Sequence, residues 1–292
     1  MPSGDTITDS LRDSLDTVVA SARTVREHEG VMAIKPVTDR VTLPEGTGES
    51  WKEISLSRLE DAFDLTETTE LDNPQQMVDT GLSITPTLVG THTYLSDRVA
   101  MRISRKAFAQ TGSLAQHSMQ RKKDKDGLTI LDSGTSLSGA GSTLVSGVIS
   151  AAVRRIQGDA TEHSTATINA VLHSFQVHDI DAELRSPVGT YEVTSGETAR
   201  AFRESFQGRV GGSNVLIDNL ITVDASDDAK GGVFAQDSIV LVQGMNMKAV
   251  AVRNEKRGYG GTDMYYRDEY AFGIRISTAL FEVYSDATAP TS

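Results

Sequence analysis

Six histidines, forty acidic residues and no cysteine bound the chemistry open to this 292-residue chain. Without cysteine there are no thiolate metal ligands, no thiol nucleophile and no disulfide staple. His173 and His178 are the closest histidine pair, five positions apart. A zinc pair on one helical face stands four apart in an H-E-x-x-H frame, which the chain lacks. His28, His92, His117 and His163 are scattered, so no metal site is expected. Serines in the small-residue stretches Gly134–Ser138 and Gly139–Ser142 do not form a G-x-S-x-G elbow between a strand and a helix. Gly258-Tyr-Gly-Gly is not followed by Lys-Ser or Lys-Thr and reads as a turn rather than a phosphate cradle. Asp179, Asp181 and Glu183 fall at an expected helix start, where negative charge suits the helix dipole. No catalytic residue and no cofactor is therefore expected.

Charge is segregated along the chain. Between Glu60 and Asp79 lie Glu60, Asp61, Asp64, Glu67, Glu70 and Asp72, with no Lys or Arg among them. Such a run repels itself and favours an exposed segment unless something basic covers it. The chain also carries a short basic run, Arg121, Lys122, Lys123 and Lys125. The formal net charge of −12 has the wrong sign for generic binding to the outside of duplex nucleic acid. Tyr259, Tyr265, Tyr266, Tyr270 and Phe272 cluster in a β context with scattered basic neighbours. Cross-strand packing suits them better than base stacking, which needs a basic groove. A repressor or packaging enzyme is disfavoured.

The elements that must position these residues follow from periodicity. Leu11, Leu15, Val18, Ala22 and Val25 recur at steps of four and three, one stripe of an amphipathic helix that Gly30 would end. That stripe suits either a core-packing helix or an arm reaching a neighbouring subunit. From Ala33 to Asp97, two runs rich in Thr, Val and Ile flank the acidic stretch, and Pro36, Pro44, Pro74 and Pro86 argue against interior strands. A long hairpin with exposed edges is expected. A long helix is expected over 97–126, with Gly127 as its stop. A Gly/Ser/Thr-rich loop over 134–147 leads to a helix bearing Ile149, Ala152, Val153 and Ile156. INAVLHS then reads as a buried strand before the helix VHDIDAELRS, and 195–206 as a further short helix. β-runs at 215–223, 238–242, 247–252 and 270–283 close the chain. The class is α+β, with helices and strands in separate stretches.

This order of elements resembles the major capsid protein of tailed bacteriophages, whose shell fold is shared with encapsulin nanocompartments. Three stretches carry the resemblance: INAVLHSFQVHDIDAEL, NVLIDNLITVDASDDAKGGVFAQDSIVLV and AVAVRNEKRGYGGTDMYYRDEYAFGIRIS. Together with the arm and hairpin they span nearly the whole chain. The resemblance implies an N-terminal arm over 1–31 and an extended loop over 32–96. It implies a peripheral domain with a spine helix over 97–135 and 226–292, and an axial domain over 136–225. It also implies self-assembly into hexamers and pentamers that enclose DNA without reading its sequence, in a virion built in the host cytoplasm. Portal, scaffold and decoration proteins would be partners, the scaffold as a separate protein because no scaffolding-like segment precedes the arm.

In that family the extended loop lies over a neighbour's spine helix. The acidic residues Glu60, Asp61, Asp64, Glu67, Glu70 and Asp72 would then meet Arg121, Lys122, Lys123 and Lys125 of the next subunit; two independently solvated charge runs are the plainer reading. Leu11, Leu15, Val18 and Val25 would pack on the shell's inner surface or on a neighbour. The acidic stretch holds no lysine for a crosslink; Lys35 and Lys52 lie in its flanks. Two other functions fit the composition: a cargo-enclosing nanocompartment shell of the same fold, and an α+β enzyme or binding protein. No apolar run approaches the ~20 residues that span a bilayer, and Met1–Asp16 lacks the basic start and apolar core of a signal peptide.

Overall fold

A computed structural model describes residues 30–46, 48–62, 64–67, 74–102, 106–185, 208–258 and 260–291. Leu11, Leu15, Val18 and Val25, the acidic Glu70 and Asp72, and the helix expected over 195–206 lie outside the described residues.

The chain enters through a single helical turn, α1 (Val31–Ile34), followed by β1 (Asp39–Thr42). Strands β2 (Trp51–Leu56) and β3 (Asp79–Ile84) pair antiparallel as a two-stranded sheet, Trp51 opposite Ile84 and Leu56 opposite Asp79. This is the expected hairpin. Its second run is broken at Thr85-Pro86, where proline offers no N–H to a ladder. The residues beyond form a separate strand, β4 (Thr87–Ser96), in another sheet. Two helices follow, α2 (Asp97–Arg102) and the 26-residue α3 (Lys106–Leu131). At 1.5 Å per residue α3 is about 39 Å long.

Helix α3 does not stop at Gly127. It continues for another turn and buries Leu128 and Leu131. Glycine stands there because of close approach, not termination. A Cβ at 127 would lie 2.8 Å from the Met32 Cβ and 3.0 Å from the Phe272 ring. The cost of glycine in a helix is accepted so that α1 and a strand can press directly on the helix backbone.

After β5 (Thr135–Ser136) come α4 (Ser146–Gly158), β6 (Ile168–Leu172) and α5 (Ser174–Arg185). Every residue of β6 is buried, four of them apolar and the fifth Asn169, whose side chain bonds Val37 O and Asn214. Helix α5 begins at Ser174, so Asp179, Asp181 and Glu183 are not in its first turn. Glu183 instead accepts the Ser146 N–H at 2.6 Å and caps α4.

The last stretch forms β7 (Arg209–Val210), β8 (Ser213–Ile217), β9 (Asp228–Ala235), β10 (Ile239–Asn254), β11 (Gly261–Ile274) and β12 (Leu280–Asp286). The runs expected at 238–242 and 247–252 are one strand: Gly244 falls at a register shift between Gln243 and Met245, a bulge rather than a turn. The run expected over 270–283 is divided into β11 and β12 by a 3-10 turn, Ser277–Ala279.

Two further sheets result. One has the order β1-β10-β11-β4, with the β10–β11 ribbon as its long axis. The other has the order β5-β12-β9-β6-β8-β7. Strands β9 and β12, from the 226–292 range, thus pair in the same sheet as β6 and β8. One core lies between α4, α5 and the six-stranded sheet, around Ile149, Ile156, Leu172 and Val283. A second joins α1 and the end of α3 to that sheet and to β10, through Met32, Leu131, Phe234 and Ile239. A smaller cluster of Leu95, Val99, Ala115, Met264 and Tyr266 seats α2 and α3 on β4 and β11.

The two helical glycines of α3 should respond oppositely to alanine. Gly112→Ala places its Cβ 3.6 Å from the Tyr266 hydroxyl, ordinary contact, and should gain up to about 1 kcal/mol of helix propensity. Gly127→Ala should lower the melting temperature despite the same gain, because Met32 and Phe272 must move. Calorimetry of the purified protein distinguishes the two.

Candidate inter-subunit surface

The hairpin is anchored in an apolar core at its base. Ile84 is buried there with Val240 and Val242, and Trp51 and Leu82 pack against them. Arg275, at the end of β11, fixes the same corner. Its Nε donates to Glu53 Oε2 and its Nη1 to Asp39 Oδ2, both at 2.8 Å. Its guanidinium also stands 6.0 Å over the Trp51 ring. One planar cation thereby joins β11, β1 and β2, and a lysine ammonium has no matching fork.

Beyond the base the hairpin packs on little of its own chain. Ile54, Ser55 and Leu56 are consecutive and all exposed, so both faces of β2 meet solvent. Ile54 is 67% exposed, Leu56 62% and Met77 60%, with Leu59, Leu65 and Val78 also exposed. Glu60, Asp61, Asp64 and Glu67 are exposed among these apolar side chains. Arg58 tethers this end: it pairs with Asp61 and donates from Nη1 to Ala160 O at 3.3 Å. A contiguous apolar surface rimmed by charge is the mark of an interaction site.

The basic run on α3 divides. Lys122 and Lys125 are exposed, and Lys122 pairs with Asp126 one turn on. Lys123 points inward and is engaged in its own chain, so it drops out of the expected contact set. Its Nζ donates to Gln243 Oε1 at 2.6 Å and to Asp268 Oδ2 at 3.2 Å, and lies 4.7 Å over the Tyr270 ring. Burial holds this ammonium below its ordinary value, against the opposing pull of Asp268. Gln243 Nε2 completes the network on Met245 O at 2.7 Å, and the Tyr270 hydroxyl donates to Asp126 Oδ2 at 2.9 Å. Nothing in the 121–125 run alone distinguishes Lys123. The partners are Gln243 at the end of the apolar run IVLV and Asp268, which is buried between Arg267 and Glu269; buried polar groups need partners.

Two of the histidines take structural posts. His92 Nε2 meets Asp263 Oδ1 at 2.7 Å and stacks on Tyr265 across β4 and β11, with ring centroids 4.6 Å apart. His173 is buried at the end of β6 and accepts the Phe175 N–H at 3.3 Å. Among the described residues no group of three or more His, Asp or Glu could hold a metal ion. Among the same residues no helix is long and apolar enough to cross a membrane.

No family model and no curated protein matches the sequence. Solved structures do match. A chain from the capsid of Ralstonia phage GP4 is 11% identical with a TM-score of 0.68, covering 94% of this chain and 95% of that one. A chain from Mycobacterium phage Che8 is 17% identical with a TM-score of 0.65, covering 94% and 97%. A chain from the capsid of the cyanophage P-SCSP1u is 10% identical with a TM-score of 0.65, covering 94% of each. At these identities the likeness is one of fold. The chain therefore has the α+β fold found in phage capsids, as the sequence resemblance implied.

Arg275→Ala should free the hairpin without unfolding the body. Amides of 51–56 and 79–84 should exchange at least several-fold faster while those of β6 and β9 are unchanged. Arg275→Lys should restore only part of the protection. Hydrogen exchange read by mass spectrometry checks both.

Proposed function

We propose that this chain is the major capsid subunit of a tailed bacteriophage, assembling with itself into hexamers and pentamers of an icosahedral head. The observation that carries the reading is a fold matched over 94% of the chain by phage capsid chains, joined to a hairpin that beyond its base leaves Ile54, Leu56 and Met77 exposed in their own subunit. A hairpin of two strands alone is marginal in water; another copy would bury it. On this reading the chain works by interfaces and has no catalytic role. It resides in the virion after assembly in the host cytoplasm, with portal, scaffold and decoration proteins as partners. A net charge of −12 suits a wall that encloses DNA without gripping it.

The peripheral unit comprises α3 and the four-stranded sheet. The axial unit is the six-stranded sheet with α4 and α5, and so takes in 228–235 and 280–286. Residues 1–31 form the arm, with Leu11, Leu15, Val18 and Val25 packing on the shell's inner face or a neighbour. The acidic hairpin residues Glu60, Asp61, Asp64, Glu67, Glu70 and Asp72 meet Arg121, Lys122 and Lys125 of the adjacent subunit. Each exposed pair contributes ~0–1 kcal/mol, and Lys122 exchanges its weak Asp126 pairing for the neighbour. Repetition over the whole shell makes the sum count, and makes it sensitive to salt.

Expression of the chain with its neighbouring genes, followed by sedimentation and negative-stain electron microscopy, tests the reading. Closed shells tens of nanometres across are expected. A subunit that stays monomeric and turns over a small-molecule substrate would overturn it. Lys122→Glu combined with Lys125→Glu should sharply reduce shell yield while leaving the subunit's melting temperature within about 1 °C, because both side chains are exposed. Shells at the unmodified yield would remove the electrostatic contact.

A further inference from the structure

Where the backbone enters the described fold, it is held by two aspartates rather than by a sheet. The Val31 N–H donates to Asp218 Oδ2 at 2.9 Å. The Met32 and Ala33 N–H groups donate to Asp124 Oδ1 at 2.7 and 3.2 Å. Asp124 comes from α3 and Asp218 from the segment just after β8, and both are fully buried. Asp218 Oδ1 also accepts the Leu220 N–H at 2.9 Å. Asp124 Oδ2 finds no donor among the described groups, yet its carboxyl is in contact with that of Asp218. Two buried carboxylates in contact cannot both carry charge at low cost. A proton on Asp124 Oδ2, donated to Asp218, supplies the missing hydrogen bond and removes the repulsion together.

We propose that a proton on Asp124, donated to Asp218, latches the entry segment, residues 30–34, onto α3. Gly30 belongs to the device. A Cβ there would stand 2.2 Å from the Asp124 Cγ, so the closed latch admits no side chain at 30. Burial, and then contact with Asp218, push the Asp124 carboxyl up to about 7.

The direction of the pH response follows. The closed latch binds a proton that the open one, with an ordinary carboxyl, does not. Closure is therefore strongest in acid and weakens as pH rises towards 7, by about tenfold in the opening equilibrium per pH unit, levelling off above. The neighbouring groups do not mimic this. The sequence of α1, VMAI, has no titratable side chain. On α3, Lys123 is engaged with Asp268 and Gln243, Asp126 with Lys122 and Tyr270, and Lys125 is exposed. From β6, His173 feels Asp218, but burial first of all holds it below its ordinary value, favouring the neutral ring. Its protonation would weaken the fold as pH falls, the opposite sense.

Hydrogen exchange of the peptide covering 30–35, corrected for intrinsic rates and followed from pH 5 to 8.5, reads the latch directly, whether the protein is assembled or not. It does not rest on the shell reading. The unmodified protein should lose about tenfold protection per unit from pH 5 to 7 and then level off. Asp124→Asn, whose amide donates to Asp218 at every pH, should stay protected throughout. Gly30→Ala should be unprotected throughout. His173→Gln should keep the slope. A flat profile in the unmodified protein overturns the latch, as does a slope that survives Asp124→Asn or disappears with His173→Gln. The unmodified and His173→Gln profiles decide the matter even where the other variants fold poorly.

Discussion

The structure turns on how closely its longest helix is approached over its final two turns. Between Lys123 and Leu131, α3 meets a different partner at almost every step. Lys123 enters the polar network of β10 and β11, Asp124 takes the backbone of α1, and Gly127 admits Met32 and Phe272. Leu128 and Leu131 then complete the core of the six-stranded sheet. No bulkier residue fits at 127, and no uncharged apolar one would serve at 123 or 124. The helix has few apolar residues for its length, so its seating relies on this short stretch. The two larger sheets share no strand; this stretch of α3 packs with Phe234 and Leu280 of one and Ile239 of the other, and the Arg275 N–H, donating to Ser238 O at 2.8 Å, ties their connecting segments together.

The hairpin shows the opposite economy. Its strands are paired, but beyond Trp51 and Ile84 little of its own subunit covers them. An apolar strand left open on both faces is an aggregation hazard in a monomer. In the proposed shell, neighbouring copies would cover the same exposure. The acidic residues spaced along the hairpin repel one another, and a basic neighbour would relieve that repulsion.

Much of this was legible in the sequence, and the failures have physical causes. The largely apolar INAVL announced a buried strand, and Thr-, Val- and Ile-rich runs around an acidic stretch announced the hairpin. Gly127 misled because glycine serves both to end helices and to admit close neighbours, and only the tertiary partners tell the two apart. That error hid Leu128 and Leu131, which lie four and seven residues after Asp124 on one helical face and would have marked it as buried. The runs at 238–242 and 247–252 misled similarly, standing apart in the sequence where a bulge at Gly244 lets one long strand continue. Lys123 looked like its neighbours because helical phase alone does not settle which of several consecutive cations turns inward. The candidate contact surface was legible as charge segregation; its apolar component was not, since Ile54, Leu56 and Met77 look like core residues until the fold leaves them outside.

One consequence concerns the short path from the entry segment to the hairpin. Only Lys35 to Thr38 separate α1 from β1. Asp39, the first residue of β1, is gripped by the Arg275 guanidinium that also holds Glu53 at the hairpin base. The two aspartates at the chain's entry and the arginine under the hairpin are therefore linkages in series along one short lever, with its fulcrum on β10. A displacement at residue 30 has only these four residues in which to be absorbed before it reaches β1 and the arginine under the hairpin; in the proposed shell, a tilt of the hairpin passed on in this way would change the angle between one subunit and the next.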